Sequence, residues 1–157
     1  MKKLFSVLAV LFVLGTTNVF AFGLGLQGGA NLGAGSSSAA VTFKLDSAPW
    51  IFAADGAFYS EYVALGLTAD MWLANENLTG PLNYFYGWGV NGSFGIGGDS
   101  VLVNAGVRVL GGLNLYVLDN FLEFYAQVAW QPNITVLPEI HFNLVYFPVS
   151  AGFRFWF

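Results

Sequence analysis

Apolar and polar residues alternate with a period of two along most of this chain. Phe22, Leu24, Leu26, Ala30 and Leu32 fall on one face of an extended segment, and Gly23, Gly25, Gln27, Gly29 and Asn31 fall on the other. Successive strand side chains point to opposite sides, so this pattern predicts a strand with one apolar face. Val41, Phe43 and Leu45 repeat it against Thr42 and Lys44. Trp50 to Phe58 predicts a third strand, whose facing its alanines and Gly56 leave open. In a fourth, Val63, Leu65, Leu67, Ala69, Met71 and Leu73 oppose Tyr62, Ala64, Gly66, Thr68, Asp70 and Trp72. In a fifth, Tyr84, Tyr86, Trp88, Val90 and Phe94 oppose Phe85, Gly87, Gly89, Asn91 and Ser93.

The sixth strand runs over 101–117, with valines and leucines opposing Asn104, Gly106, Arg108, Gly112, Asn114 and Tyr116. The seventh sets Leu122, Phe124, Ala126, Val128 and Trp130 against Glu123, Tyr125, Gln127 and Gln131. The eighth sets Val149, Ala151, Phe153, Phe155 and Phe157 against Ser150, Gly152, Arg154 and Trp156. Pro148 cannot donate to a ladder, so only 149–157 reads as continuous strand there. Turn or loop signals fall at 35–38, 46–49, 75–83, 97–100, 118–120 and 132–139. No segment carries a helical period, and beyond the first residues no run of 18 apolar residues could cross a membrane as a helix.

Composition decides which way the sheet faces. The chain is 56% hydrophobic and 9% charged, against about 25% charged for a soluble domain. A soluble barrel would bury the apolar faces and wet the others, but those others carry Gly, Asn, Gln, Ser, Thr and Tyr rather than charge. None of the clear apolar faces carries a charge at all. The inverted arrangement suits lipid outside and a polar lumen inside, and lipid tolerates no open sheet edge. The expected fold class is therefore all-β, an eight-stranded antiparallel up-and-down transmembrane β-barrel closed by the eighth strand pairing with the first.

The N-terminus reads as an address. Lys2 and Lys3 precede an apolar run over 4–14, a polar break over 15–18, and Val19-Phe20-Ala21. That is the pattern of a secretory signal peptide. Residues 1–21 are expected to be cleaved, leaving one barrel domain over 22–157. The mature chain then holds three basic residues against nine acidic ones, a net charge of −6, which disfavours nucleic acid as a partner. There is no cysteine, so neither disulfides nor thiolate metal sites are available.

Five ionisable residues fall on polar faces: Lys44, Asp70, Arg108, Glu123 and Arg154. They are expected to form a lumen network, since isolated buried charges are costly. Glycines on the same faces leave space for Tyr62, Trp72, Phe85, Tyr116, Tyr125 and Trp156, which predicts a plugged lumen rather than a water pore. Aromatic rings at Trp50, Trp72, Tyr84, Tyr86, Phe121, Phe155 and Phe157 gather toward one rim, as in an interfacial belt. Trp130, Phe58 and Tyr62 gather toward the other.

The alternating C-terminal strand with Phe153, Phe155 and a final Phe157 resembles the assembly signal of bacterial outer-membrane barrels. With the signal peptide and eight alternating strands, the mature chain resembles small barrels of the OmpX, OmpA-transmembrane and OmpW type. The resemblance implies the outer membrane of a diderm bacterium, and periplasmic chaperones and the barrel-assembly machinery as partners during biogenesis. Outer-membrane lipid is the lasting partner, and a monomer is expected. With Phe157 at the periplasmic side, the outer loops are expected at 34–38, 59–61, 97–100 and 131–140.

Other motifs carry less. Gly23/Gly25/Gly28 and Gly87/Gly89/Gly92 fit a dinucleotide-loop spacing, but neither opens a helix. His141, the only histidine, has Glu139 and Asn143 nearby but no adjacent serine; a lone rim histidine accounts for it, and it excludes a multi-histidine zinc site. No cofactor is expected. Three functions are consistent with the sequence: a structural or surface-interaction barrel, a conduit for small or hydrophobic molecules, and a lipid-modifying enzyme. The first needs no catalytic constellation and is the one expected.

Overall fold

A segment with one apolar and one polar face must satisfy its backbone by pairing edge to edge, and this chain does so throughout. The structure is a computed structural model that describes residues 21–32, 35–58, 63–97, 100–137 and 139–157. Its strands are β1 (Phe22–Asn31), β2 (Ser37–Leu45), β3 (Trp50–Phe58), β4 (Val63–Thr79), β5 (Leu82–Gly97), β6 (Ser100–Val117), β7 (Leu122–Trp130), β8 (Asn133–Leu137), β9 (His141–Asn143) and β10 (Pro148–Trp156). No described residue is helical.

The sheet runs β5-β4-β3-β2-β1-β10-β7-β6, and β6 pairs back onto β5. Eight strands thus close into an antiparallel barrel. The seam is the expected one: β1 meets β10 from Gly23↔Trp156 to Asn31↔Pro148. One rim carries both ends of the barrel and the turns at 46–49, 80–81 and 118–121. We call it the terminal rim, and the opposite one the far rim. Residues 1–20, where the export signal is expected, Tyr62, the 59–61 loop and the tip of the 97–100 loop lie outside the described residues.

Outside and inside follow the alternation. Leu65 and Leu67 are each 67% exposed on the outer wall, whereas Arg154 and Glu123 are 1% and 0% exposed in the lumen. The third strand is resolved: Ile51 is buried inward with Ala53, Asp55 and Ala57 on its side, and Phe52 and Phe58 are exposed outward. Trp72 is also inward, 5% exposed and stacked on Phe85 at 3.8 Å, so it does not belong to the rim belt expected of it.

Three expected loops differ. The segment 75–83 is mostly ladder, with β4 reaching Thr79 and β5 starting at Leu82 around a Gly80-Pro81 turn in which Gly80 has φ +54. Register shifts between Trp72 and Ala74 and between Asn77 and Thr79 accommodate it. Polar residues can extend a ladder beyond the apolar wall, because the backbone pairing does not depend on which side chains it carries. At the far rim, β2 starts at Ser37, earlier than its apolar pattern does.

The third difference is 132–139, which holds β8 pairing with β6 from Gly106↔Asn133 to Val103↔Leu137. A hairpin to β9 follows, Thr135↔His141. Pro132 and Pro148 lack the amide hydrogen a ladder needs, and the wall strands break beside them. Gln131 N–H donates to Tyr146 O at 2.9 Å and the Trp130 indole donates to Leu144 O at 2.8 Å, which holds the two broken strands together.

Candidate functional site

The lumen charges sit in two layers, one centred on a pair from adjacent strands and the other on a pair that reaches over the strand between them. In the layer nearer the terminal rim, Arg154 on β10 and Glu123 on β7 are directly opposed in register. Arg154 Nη1 donates to Glu123 Oε2 at 2.9 Å. Asn114 Nδ2 donates to Glu123 Oε1 at 2.9 Å, and the Trp156 indole donates to Oε2 at 3.1 Å. One fully buried carboxylate thus collects three donors, the condition under which a buried ion pair offsets its desolvation.

Rings complete this layer. The Arg154 guanidinium lies 4.0 Å from the centroid of the Tyr125 ring. Lys44 Nζ lies 4.3 Å from the Trp72 ring and 5.3 Å from the Trp156 ring. A desolvated ammonium is held well by an indole face, whose quadrupole presents negative charge. Trp72 stacked on Phe85 closes the layer from the β4–β5 side.

The second layer is nearer the far rim. Arg108 Nε lies 3.1 Å from Asp70 Oδ1, with both side chains buried. Their strands are not adjacent: Asp70 on β4 and Arg108 on β6 each pair with Gly89 of β5. The bridge spans a strand whose residue at that point has no side chain. Asp55 joins this layer through the field of Arg108. Sequence reasoning left it out because the facing of its strand was undecided.

The five expected lumen residues are therefore all buried, but as two groups: Lys44, Glu123 and Arg154 in one, Asp70 and Arg108 in the other. Above the second layer, the far half of the lumen holds a partly enclosed cavity of about 90 Å³ lined by Asn31, Ser36, Asp55, Asn91, Arg108 and Ser150 among others.

Large inward groups lie against glycines. Gly25 pairs with Arg154, Gly23 with Trp156, and Gly152 with Tyr125. A Cβ on Gly25 would come within 2.7 Å of the Arg154 side chain, and one on Gly152 within 2.8 Å of the Tyr125 hydroxyl. The dinucleotide-like glycine spacings are thus strand positions, several of which make room for lumen side chains. His141 is exposed on the far-rim hairpin, and Ser150 is buried in the lumen. The described residues contain no cluster of three or more metal-ligating side chains.

Phe153, Phe155 and Phe157 lie on the outer face of β10 and just beyond it. Phe155 contacts Phe121 with ring centroids 5.5 Å apart, and Phe157 contacts Phe22 at 5.5 Å. These rings form a collar where the barrel closes at the terminal rim.

No family model and no curated relative matches the sequence. Among solved structures, the chain is similar to the crystal structure of Neisserial surface protein A, with a TM-score of 0.60 and 16% identity over 88% of this chain and 97% of that one. The architecture is therefore that of a small closed barrel of eight antiparallel strands, shared with that surface protein.

Proposed function

We propose that this chain is an outer-membrane β-barrel of a diderm bacterium, non-enzymatic, with a structural or surface-interaction role and a lumen plugged against solute. The observation that carries this proposal is the inversion of the wall: the outer face exposes leucines, valines and aromatics while the lumen buries charge. In water such a wall would be an aggregation surface; in lipid it is the stable arrangement. The similarity in fold to Neisserial surface protein A supports the same location. The packed layer of Arg154, Glu123, Trp72, Phe85 and Tyr125 supports the plug.

In this orientation the terminal rim faces the periplasm and the far rim faces outward. The β8–β9 hairpin and the segment that follows it, with exposed Ile140, Phe142, Leu144 and Val145, form the surface for any partner or for the outer leaflet. Phe153, Phe155 and Phe157 serve as the assembly signal read by the insertion machinery, and residues 1–21 as the cleaved export signal.

The test is direct. The mature chain refolded in detergent should migrate faster on an unboiled gel than after boiling and should show β circular dichroism. The full chain expressed in a diderm host should fractionate with the outer membrane. Reconstituted in planar bilayers, it should be electrically silent. Helical dichroism with no heat-dependent shift, or recovery in the cytosolic fraction, would overturn the membrane assignment, and steady conductance would overturn the plug.

A further inference from the structure

The alternation of the wall does not stop where its strands break. Ala105 on β6 lies on the outer side with Val107 and Val109, each of which is 54% exposed. Ala105 pairs with Ile134 of β8, and Ile134 pairs with Phe142 of β9. Residues directly opposed in a ladder share a face, so Phe142, 64% exposed, stands on the outer side. The other face of the hairpin is polar. Asn133 pairs with Asn143, and Thr135 with His141. Asn133 accepts from the Asn91 amide at 3.0 Å, and the Thr135 hydroxyl donates to Asn104 at 2.6 Å. Asn91 and Asn104 are both on the lumen faces of their strands. The hairpin therefore repeats the arrangement of the wall, apolar outward and polar inward. It does so on the far side of Pro148, which pairs with Asn31 at the end of β1.

The segment joining β9 to β10 is irregular, yet its backbone is held within the protein. Val145 N–H donates to the Asn143 side chain at 3.2 Å, and Leu144 O accepts from the Trp130 indole at 2.8 Å. Tyr146 O accepts from Gln131 N–H at 2.9 Å, and Phe147 O accepts from Leu32 N–H at 3.1 Å. Pro148 has no N–H to leave unpaired. In water such a segment could take its partners from solvent. In hydrocarbon an irregular backbone is viable only where the protein satisfies it. The bond from Trp130 also uses up the polar edge that would hold this ring at a headgroup interface. Leu144 and Val145 are 62% and 77% exposed.

We propose that the β8–β9 hairpin and residues 144–147 lie within the outer leaflet, with the face of Ile134, Ile140, Phe142 and Leu144 covered by acyl chains of the surrounding lipid. This rests on the membrane reading above. Continuity selects the occupant: the face runs into the outer wall through Ala105, Val107 and Trp130 without meeting a charge. Among the described residues of the hairpin the only formal charge is Glu139, next to its tip. The expected outer loop at 131–140 is on this account wall rather than loop. The apolar belt then runs further along β6, β8 and β9 than along β1 and β2, which a bilayer meets by tilt of the barrel or local thickening.

The chain has no cysteine, so single cysteines can report on each position. Residues 140 to 144 are replaced one at a time by cysteine and spin-labelled, and the mature barrel is reconstituted in phosphatidylcholine vesicles. Collision of the label with O₂, which partitions into lipid, is compared with collision with a water-soluble nickel chelate. Leu67→Cys on the outer wall and Ser47→Cys in the exposed terminal-rim turn supply the lipid and water references. At Ile140, Phe142 and Leu144, nickel collisions are expected to fall to the level at Leu67. At His141 and Asn143, they are expected to exceed those of their neighbours, giving a period of two.

Nickel access at all these positions with the Leu67 label protected overturns the proposal and leaves the membrane assignment standing, the hairpin then being a surface loop in water. Shielding of the Phe142 label from both reagents also overturns it, since a second copy of the chain or a protein contact then covers the face. A Leu67 label as open to nickel as the Ser47 label overturns the membrane assignment itself. The heat-dependent gel shift verifies the fold of each variant. Because the reading is a period across neighbouring positions, the remaining labels decide it should one variant not refold.

Discussion

Arg154 and Glu123 face each other across one rung of the β7–β10 ladder, 2.9 Å apart and almost wholly shielded from solvent. A pair this buried contributes little net stability compared with apolar groups of the same shape, but losing one partner strands the other. Glu123→Ala should therefore lower the stability of the refolded barrel by about 3–5 kcal/mol. The urea midpoint of the heat-dependent gel shift measures this. The double variant Glu123→Leu/Arg154→Met should recover much of the loss. An unchanged midpoint for Glu123→Ala would mean that the carboxylate does not carry the layer.

The glycines give an independent test of the register. A Cβ on Gly25 meets the Phe153 carbonyl and the Arg154 stem, whereas one on Gly28 meets nothing within 4 Å. Gly25→Ala should cost about 1–3 kcal/mol or prevent refolding. Gly28→Ala should be neutral, or stabilising by about 0.4–1 kcal/mol because it restricts the unfolded chain. Equal behaviour of the two variants in urea titration would contradict the β1–β10 pairing.

The turn between β6 and β7 stores backbone strain. Leu118, Asp119 and Asn120 have φ of 54, 54 and 69, a left-handed course that L-residues adopt at a cost of about 1–2 kcal/mol each. Leu118 is 68% exposed, so its side chain offers little packing in return. Leu118→Gly should raise the urea midpoint by roughly 1 kcal/mol equivalent. A lower midpoint would show that the leucine makes up for the strain through contact with the membrane or detergent.

How much of this was legible in the sequence depends on contrast between faces. Where Leu, Val and Phe alternate with Gly, Asn and Thr, facing and closure follow from period alone. On β3 the faces are Ala53, Asp55 and Ala57 against Ala54 and Gly56, and size gives no contrast. Asp55 itself was the available signal, because an outer wall cannot hold a charge. The partners within the lumen were not legible: Arg154 meets Glu123 on the next strand, and Arg108 reaches Asp70 over Gly89, because stagger between strands is set by closure and by the register shift near Trp72. Pro132 and Pro148 pointed to interruptions, yet Asn133–Leu137 carries Ile134, Thr135 and Val136, β-branched residues that favour a strand. The extension at 75–83 was hidden because a ladder beyond the apolar wall needs no apolar face.

Phe157 separates a structural role from a signalling one. Its backbone closes the seam at the terminal rim: Phe22 N–H donates to Phe157 O at 3.2 Å, and Phe157 N–H donates to Phe22 O at 3.0 Å. Neither bond involves the ring; the residue is 54% exposed, and its ring centroid lies 5.5 Å from that of Phe22 and 6.1 Å from that of Phe121. Phe157→Ala should therefore cost the refolded barrel only about 0.5–1.5 kcal/mol, the worth of an aromatic pair. In cells, an assembly signal centred on this ring predicts a much larger effect, a several-fold fall in heat-shifting barrel in the outer-membrane fraction at equal synthesis. If the cellular yield falls no further than the loss of stability in detergent accounts for, the ring acts only in the collar and the insertion machinery reads another feature of β10.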